Sequence, residues 1–518
     1  MKEFKNETYL DFTNKEISGK QKEAIAKAKE QFGKEYPNII NGEEVYTEKK
    51  TISKNPANTD EVIGKFQKSG QEDAEKAIQA ANEAFKSWQK VPAIQRAEYL
   101  FKAAEEIRKR RYEINAWMIL ESGKNFLEAD ADLAEAIDFL EHYGREAIKK
   151  AQLQPVTNFP GEDNEYFYIP LGAGVSIPPW NFPFAIMIGI TVAPIVTGNT
   201  VVLKPSSDSP MMAKIFTDIM RDIGLPKGVL NYLVASGAEA GDYLVDHPKT
   251  RFIAFTGSMA TGKRINERAA KFNEDQKWIK RVIVEMGGKD GIIVDSEADL
   301  EAAAQGVAKS AYGFQGQKCS ACSRAIVDEK VYDEFIDLLK KEVDKIEVGD
   351  PAEDYRMGPL INEGALEKTM KYIDIAKNEG ELVTGGNKIE GKNGWYVEPT
   401  IFKDIDRNAR LAQEEVFGPV LAVIKAKDYD DAIDIANGTI YGLTGGVYTD
   451  NYDKMERAKR EFHVGNLYIN RKCTGALVDV QPFGGFNMSG TDSKAGGREY
   501  LYLFLQGKSV ATKLYPIK

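Results

Sequence analysis

The sequence predicts an α/β protein in which an open parallel sheet forms one domain, a second α/β domain follows, and a small β element stands apart. Three observations predict it. At 518 residues and 57.6 kDa the chain outgrows a single hydrophobic core and divides into domains. After Pro155, short β-branched runs alternate with helical patterns, as strands buried on both faces of βαβ units do. The last stretch, REYLYLFLQGKSVATKLYPIK, alternates like a strand that needs an edge to pair with.

In chain order, residues 1–40 read as a polar, lysine-rich helical arm whose periodic part is KQKEAIAKAKEQFGKE. From Ile39 to Asp60, short alternating runs surround Asn-Gly and Asn-Pro turn signals, which suits hairpins. QEDAEKAIQAANEAFKSWQ has an acidic first turn and helical spacing; AIQRAEYLFKAAEEIRKRRYEINAWMILESG continues the pattern and stops at Gly123, a C-cap. Then come GAGVSIP and a helix near 183–197, NTVVLKP and a helix near 209–223, VLNYLVAS and 238–246, TRFIAFTGS and 259–271, RVIVEMGG and DGIIVD. A second α/β section runs from about Asp299 to 470, with strands such as SRAIVD, PVLAVIK and GGVYTD. The expected division is an arm at 1–40, a first domain at 41–150 and 171–285, a second at 286–494, and oligomerisation strands at 151–170 and 495–518.

Composition narrows the function. Against 69 Lys and Arg stand 79 Asp and Glu, a net charge of -10 with both signs mixed, so a polyanion such as nucleic acid is repelled. The N-terminus lacks the apolar core of a signal peptide. The most apolar run, Phe182 to Gly198, is interrupted by prolines and reads as a buried helix rather than a membrane span. Three cysteines, an odd number in a large chain, indicate a reducing compartment, and the cytoplasm is expected.

Two of those cysteines lie in GFQGQKCSACSR, as Cys319 and Cys322. Zinc needs four ligands, and the remaining Cys473 and three scattered histidines offer no paired spacing. A redox pair or a catalytic thiol with a bystander remains. Flanking glycines and the adjacent Lys318, which would favour thiolate, support a reactive Cys319. Glu285 ends an apolar strand just before two glycines, where a carboxylate is costly unless solvated or working as an acid or base. Asn181 sits in a Pro/aromatic turn and has an amide to offer an oxyanion. Phe255 to Gly262, FTGSMATG, follows a strand and opens a helix: Gly257 permits the turn, and Ser258 with the free N–H groups can receive a phosphate. Many strand-to-helix turns contain Gly-Ser, so a dinucleotide-binding first domain and an ordinary turn are both open at this point.

Together IPPWNFP, TVVLKPS, FTGSxxxG, EMGGK, GQKC, EEVFGPV (Glu414–Val420) and PFGGFNMSG (Pro482–Gly490) resemble the NAD(P)-dependent aldehyde dehydrogenase superfamily in order and spacing, from about residue 40 to the C-terminus. The resemblance implies that Cys319 is the nucleophile, that Asn181 and the Cys319 N–H hold the oxyanion, and that Glu285 activates water; Cys322 is a bystander. For the cofactor it implies Lys204 and Glu415 at the ribose hydroxyls, Phe417 beside the nicotinamide ribose, Ser258 at the pyrophosphate, and Trp180, Ile177 and Gly257 in the same wall. Ser207 stands where NAD-strict members often carry Glu, so NAD is expected and NADP use is open. At least a homodimer is implied.

NRKCTGALVDVQPFGG, Asn470 to Gly485, together with GQKCSACSR resembles the branch of that family that oxidises L-glutamate γ-semialdehyde to glutamate in proline and arginine breakdown. This implies that Ser320 and the backbone amides of Gly475 and Ala476 hold the substrate α-carboxylate, as oriented N–H groups can. Phe184 and Phe483 are expected on its aliphatic chain. The alternatives are a dehydrogenase of another carboxylated aldehyde such as succinate semialdehyde, a thiol-redox protein using Cys319 and Cys322, and an idle structural member of the family.

Overall fold

The computed structural model describes residues 3–515. Residues 1–2 of the expected arm and 516–518 of the expected terminal strand lie outside the described residues.

Two seven-stranded sheets carry the molecule. In the first, Arg281–Glu285, Phe252–Thr256, Ala173–Ile177, Thr200–Leu203 and Leu230–Tyr232 are neighbours in that order and all parallel. Asn38–Ile40 and Glu43–Val45 add an antiparallel edge. The chain starts the parallel part of this sheet at Ala173–Ile177, builds outward on one side through Thr200–Leu203 and Leu230–Tyr232, and then crosses to the other side at Phe252–Thr256. The strand order therefore reverses there, and the crevice beyond the carboxyl ends of those two strands is the place where open α/β sheets bind ligands. Phe252–Thr256 is buried along its whole length, which is why its sequence is apolar without alternation.

In the second sheet, Thr400–Lys403, Val420–Ala426, Cys322–Asp328, Asp290–Val294, Thr444–Tyr448 and Asn466–Ile469 run parallel, with Glu381–Thr384 antiparallel at the edge. The chain passes from one sheet to the other between Glu285 and Asp290, through the two glycines that follow Glu285. DGIIVD thus belongs to the second sheet.

The arm differs from its expected extent. Its helix is Lys15–Lys29, capped by Asn14, whose side chain accepts from the Glu16 N–H. Strands begin at Glu35, and Asn38–Ile40 is already part of the first sheet. The hairpins form at both turn signals: Asn41 and Gly42 take positive φ between the first pair of strands, as a two-residue turn requires. The periodic run after Pro92 is two helices, Ala93–Lys109 and Arg111–Ser122, broken at Arg110 and ended by a left-handed Gly123. Phe126–Lys150, the helix that follows, packs on Ala185–Val196, the buried helix made by the most apolar run. No helix among the described residues is long and apolar enough to cross a membrane.

Apart from both sheets, Glu162–Pro170 pairs antiparallel with Leu505–Lys513 in a two-stranded ribbon. The terminal strand starts later than expected because Tyr500–Phe504 forms a tight 3-10 turn whose Tyr500, Leu501 and Phe504 pack into the core.

Candidate active site

Cys319 follows a turn in which Phe314, Gln315 and Gly316 all take left-handed φ, at 50°, 57° and 68°. Left-handed backbone in two non-glycine residues persists only where the surroundings enforce it. Here Gln315 Nε2 donates to the carbonyls of Gly123 at 3.0 Å and Pro359 at 2.8 Å, and Gln317 Oε1 accepts from the Ile361 N–H at 2.9 Å. The Cys319 loop is thereby tied to Gly123 and to the segment at 359–361. A Cβ at Gly288 would stand 2.7 Å from the Cys319 carbonyl oxygen, and one at Gly287 only 2.2 Å from Glu415 Oε1. The two glycines of EMGGK are there to let these groups approach.

Cys319 lines two cavities, one of about 530 Å³ toward the first sheet and one of about 90 Å³ on the other side. Burial pushes its thiol well up, with the carboxylates of Asp290, Glu415 and Glu285 adding to the shift. Lys318 does not supply the expected activation: its ammonium lies 3.7 Å from Glu128 and lines an outer vestibule instead. Cys322 is buried, its thiol on the Arg324 carbonyl at 3.4 Å, and Cys473 donates to the Ser320 carbonyl at 3.4 Å; neither lines the two cavities that Cys319 does.

Glu285 lines the smaller cavity beside Cys319. Ser493 Oγ donates to its Oε1 at 2.6 Å and the Gly485 N–H to its Oε2 at 3.2 Å. Burial nevertheless outweighs these donors and pushes its carboxyl up to about 8. Asn181 lines the larger cavity, with Nδ2 donating to the Gln317 carbonyl at 3.0 Å. That amide makes no other hydrogen bond among the described residues.

The larger cavity is a cleft at the strand-order reversal. It brings together Ile177 and Trp180 from the end of one strand, Lys204 and Ser207 from the next, and Gly257 and Ser258 from the third. Glu415 and Phe417 close it from the second domain. Ser258 caps the helix Met259–Ala269, accepting from the Thr261 N–H, so free N–H groups face the cleft. Trp180 and Phe417 meet edge to face at 5.6 Å, and Phe417 itself has φ of 62°. Lys204 is buried without a carboxylate partner, and burial brings its ammonium down to about 8. A dinucleotide fits this donor set: an unpaired ammonium, a helix N-terminus and the Glu415 carboxylate for hydroxyls. Sequence reasoning missed Lys368 and Asp208 in the same wall.

On the other side, Ser320, Gly475, Ala476 and Phe483 all line the small cavity. The N–H groups of Gly475 and Ala476 meet no acceptor among the described residues. Phe184 is a correction. It is fully buried in the core at the start of the helix Ala185–Val196, and the ring on the cavity is Phe182, which the turn at Pro183 leaves on the opposite side. Lys124 stands over that ring, its Nζ 4.1 Å from the centroid and 2.7 Å from Asp132 Oδ2. Glu135, from the helix Phe126–Lys150, was also missed. It lines the small cavity and the vestibule of about 390 Å³ beyond it, has no hydrogen-bond partner among the described residues, and is pushed up to about 8 by burial. A Glu in a helical sequence reads as surface; only packing reveals it as cavity lining.

Fold and site bring the Cys319 thiol and the Glu285 carboxyl together, between a cleft at the strand-order reversal and a small cavity beyond it. The chain belongs to the aldehyde dehydrogenase family, which it matches over residues 45–510. It is 56% identical to the 1-pyrroline-5-carboxylate dehydrogenase of Geobacillus sp. (strain WCH70) over 98% of this chain and 99% of that one. With 1-pyrroline-5-carboxylate dehydrogenase 2 of Bacillus subtilis (strain 168) it shares 53% over the same proportions. The solved structure of 1-pyrroline-5-carboxylate dehydrogenase from Thermus with bound NAD is similar, with a TM-score of 0.98 at 48% identity, covering 99% of this chain and 100% of that one.

Proposed function

We propose that this protein oxidises L-glutamate γ-semialdehyde, which is in equilibrium with Δ1-pyrroline-5-carboxylate, to L-glutamate with reduction of NAD. The observation that carries the substrate is the end wall of the small cavity. Two unengaged N–H groups at Gly475 and Ala476 and the Ser320 hydroxyl suit an α-carboxylate, and the unpartnered Glu135 suits an α-ammonium. Phe182 and Phe483 line the same cavity as Cys319 and suit the aliphatic chain. The names of the relatives agree with this substrate.

In the mechanism, the Cys319 thiolate adds to the aldehyde carbon, and the oxyanion is received by Asn181 Nδ2 and the Cys319 N–H. When bound, NAD supplies a positive charge that favours the thiolate and the acceptor for the hydride. Lys204 and Glu415 would hold its ribose hydroxyls, Ser258 and the helix N-terminus its pyrophosphate, and Trp180 and Phe417 its nicotinamide end. Ser207 brings no charge against a 2′-phosphate, but the neighbouring Asp208 does, so NAD is preferred over NADP. Once the carbon has lost its hydride, the acyl group remains on Cys319 as a thioester. Glu285 takes a proton from water, whose oxygen attacks the thioester; the acid leaves and the thiol is restored.

A dehydrogenase of succinate semialdehyde would have no use for the Glu135 carboxylate. The test compares NADH formation from Δ1-pyrroline-5-carboxylate, succinate semialdehyde and propionaldehyde in the native enzyme and in Glu135→Gln. The native enzyme should prefer the first substrate by at least about tenfold in kcat/KM, and Glu135→Gln should lose most of that preference, as removing one charged partner does. Equal turnover of all three would retain the Cys319–Glu285 chemistry and reject the substrate. The assembly is read as a homodimer or larger, in the cytoplasm.

A further inference from the structure

Residues 4–12 lie ahead of the segment that matches the family, and Tyr9 among them lines the vestibule. The Leu10 N–H donates to Asp130 Oδ2 at 2.7 Å, and Arg111 reaches the Thr8 carbonyl at 2.7 Å while also binding Asp130. Arg108 and Arg111 pair with Glu7, at 3.0 and 3.4 Å. Phe4 packs edge-on against His142, and Phe12 against Phe126. The strap is therefore fixed at both ends, and Tyr9 lines the vestibule.

Asn6 occupies a special position in it. Its Nδ2 donates both to Asp138 Oδ2 at 2.9 Å and to the Val478 carbonyl at 3.0 Å. Asp138 lies one turn beyond Glu135 on the helix Phe126–Lys150, and its other oxygen accepts from the Glu7 N–H at 2.7 Å. Val478 lies two residues beyond Ala476. The loop's other polar contacts are Arg471 on the carbonyls of Thr474 and Gly475, Gln481 accepting from the Leu477 N–H, the Asp479 N–H on the Gly496 carbonyl and the Cys473 N–H on Ser310 Oγ. Asn6, together with the longer 3.9 Å approach of Asp479 to His142, ties the loop to the helix that bears Glu135.

We propose that Asn6 is a specificity-determining positioning residue, a staple that sets the spacing between the Gly475–Ala476 amides and the Glu135 carboxylate. Those are the two groups that would grip the carboxylate and the ammonium of an α-amino acid head, so the inference rests on the substrate reading above. Asn6 touches no reacting atom. Its loss should relax the grip on the head and leave the chemistry at Cys319 as it is.

The experiment uses the full chain with Asn6→Ala and Asn6→Asp. The aspartate keeps the shape but turns the donor into an acceptor facing Asp138. Both variants should raise KM for glutamate semialdehyde about tenfold, the value of one or two buried hydrogen bonds. The kcat, and kcat/KM for propionaldehyde, should change by less than about twofold, within the scatter of a neutral substitution. Hydrogen exchange of residues 474–480 should quicken in both variants, while 313–322 stays protected. A near-native Asn6→Asp would reduce Asn6 to a packing residue and overturn the proposal, as would unchanged exchange at 474–480 or an equal loss with propionaldehyde. If the native enzyme shows no preference for glutamate semialdehyde, the substrate reading falls, and exchange at 474–480 alone still decides whether Asn6 braces the loop.

Discussion

Glu285 carries the clearest pH signature among single residues. As a general base it must be ionised, and burial holds its carboxyl near 8. Turnover limited by thioester hydrolysis therefore rises with pH through about 8 and falls away below it. In Glu285→Gln that limb should disappear and kcat drop by about 10²- to 10⁴-fold, the usual worth of a positioned base. A burst of NADH equal to the enzyme concentration should survive, because acylation of Cys319 does not need the base. Stopped-flow absorbance reads both; a variant that loses the burst as well would place Glu285 in the first half-reaction. The thiol is the complement. Its neighbours are acidic and Lys318 is turned away to Glu128, so the free enzyme stores Cys319 as an unreactive thiol.

At the scale of elements, the turn before Cys319 converts backbone strain into position. Gly316 sits at φ of 68°, and a Cβ there would stand 2.4 Å from the Gly418 carbonyl oxygen. Gly418 directly follows Phe417, the ring on the cofactor wall. Gly316→Ala should thus disturb nucleophile and cofactor wall together. We expect a loss of about 1–3 kcal/mol in stability, typical of a strained backbone site, and a fall in kcat. Thermal unfolding and steady-state rates measure the two; an alanine variant with native Tm would show that the loop yields freely. The same contacts explain why the turn was not legible in GFQGQKC. Nothing local in Phe314 or Gln315 favours left-handed backbone; the carbonyls of Gly123 and Pro359 impose it from distant parts of the chain.

For the whole molecule, the ribbon of Glu162–Pro170 and Leu505–Lys513 stands apart from both sheets, and most of its terminal strand is exposed. An isolated two-stranded ribbon is marginal in water. We therefore expect it to be completed by another subunit, with Tyr166, Tyr168 and Tyr502, clustered at its base, near the contact. Removing residues 506–518 should lower the mass seen by light scattering from an oligomer to the monomer. An unchanged mass would put the assembly contact elsewhere.

Much of this was legible from the chain alone. Fully buried strands such as Phe252–Thr256 announce themselves because both faces must be apolar, and hairpins because Asn41-Gly42 supplies positive φ. Glu285 stood out because a carboxylate is out of place at the end of an apolar strand, and Cys319 because the motifs around it resemble those of a known family. Other features depended on which residues distant segments bring face to face. The exchange of Phe184 for Phe182 turns on which side of Pro183 meets the cavity. Glu135 and Asn6 are ordinary polar residues until the helix Phe126–Lys150 and the strap close on the loop at 474–478. The sequence by itself determined the α/β class and the family, and pointed to Cys319 and Glu285 as the groups to propose, because periodicity and motif order are written along the chain. Only the tertiary structure decided the walls of the substrate pocket, because hydrogen bonds such as Asn6 to Val478 join segments that local sequence does not relate.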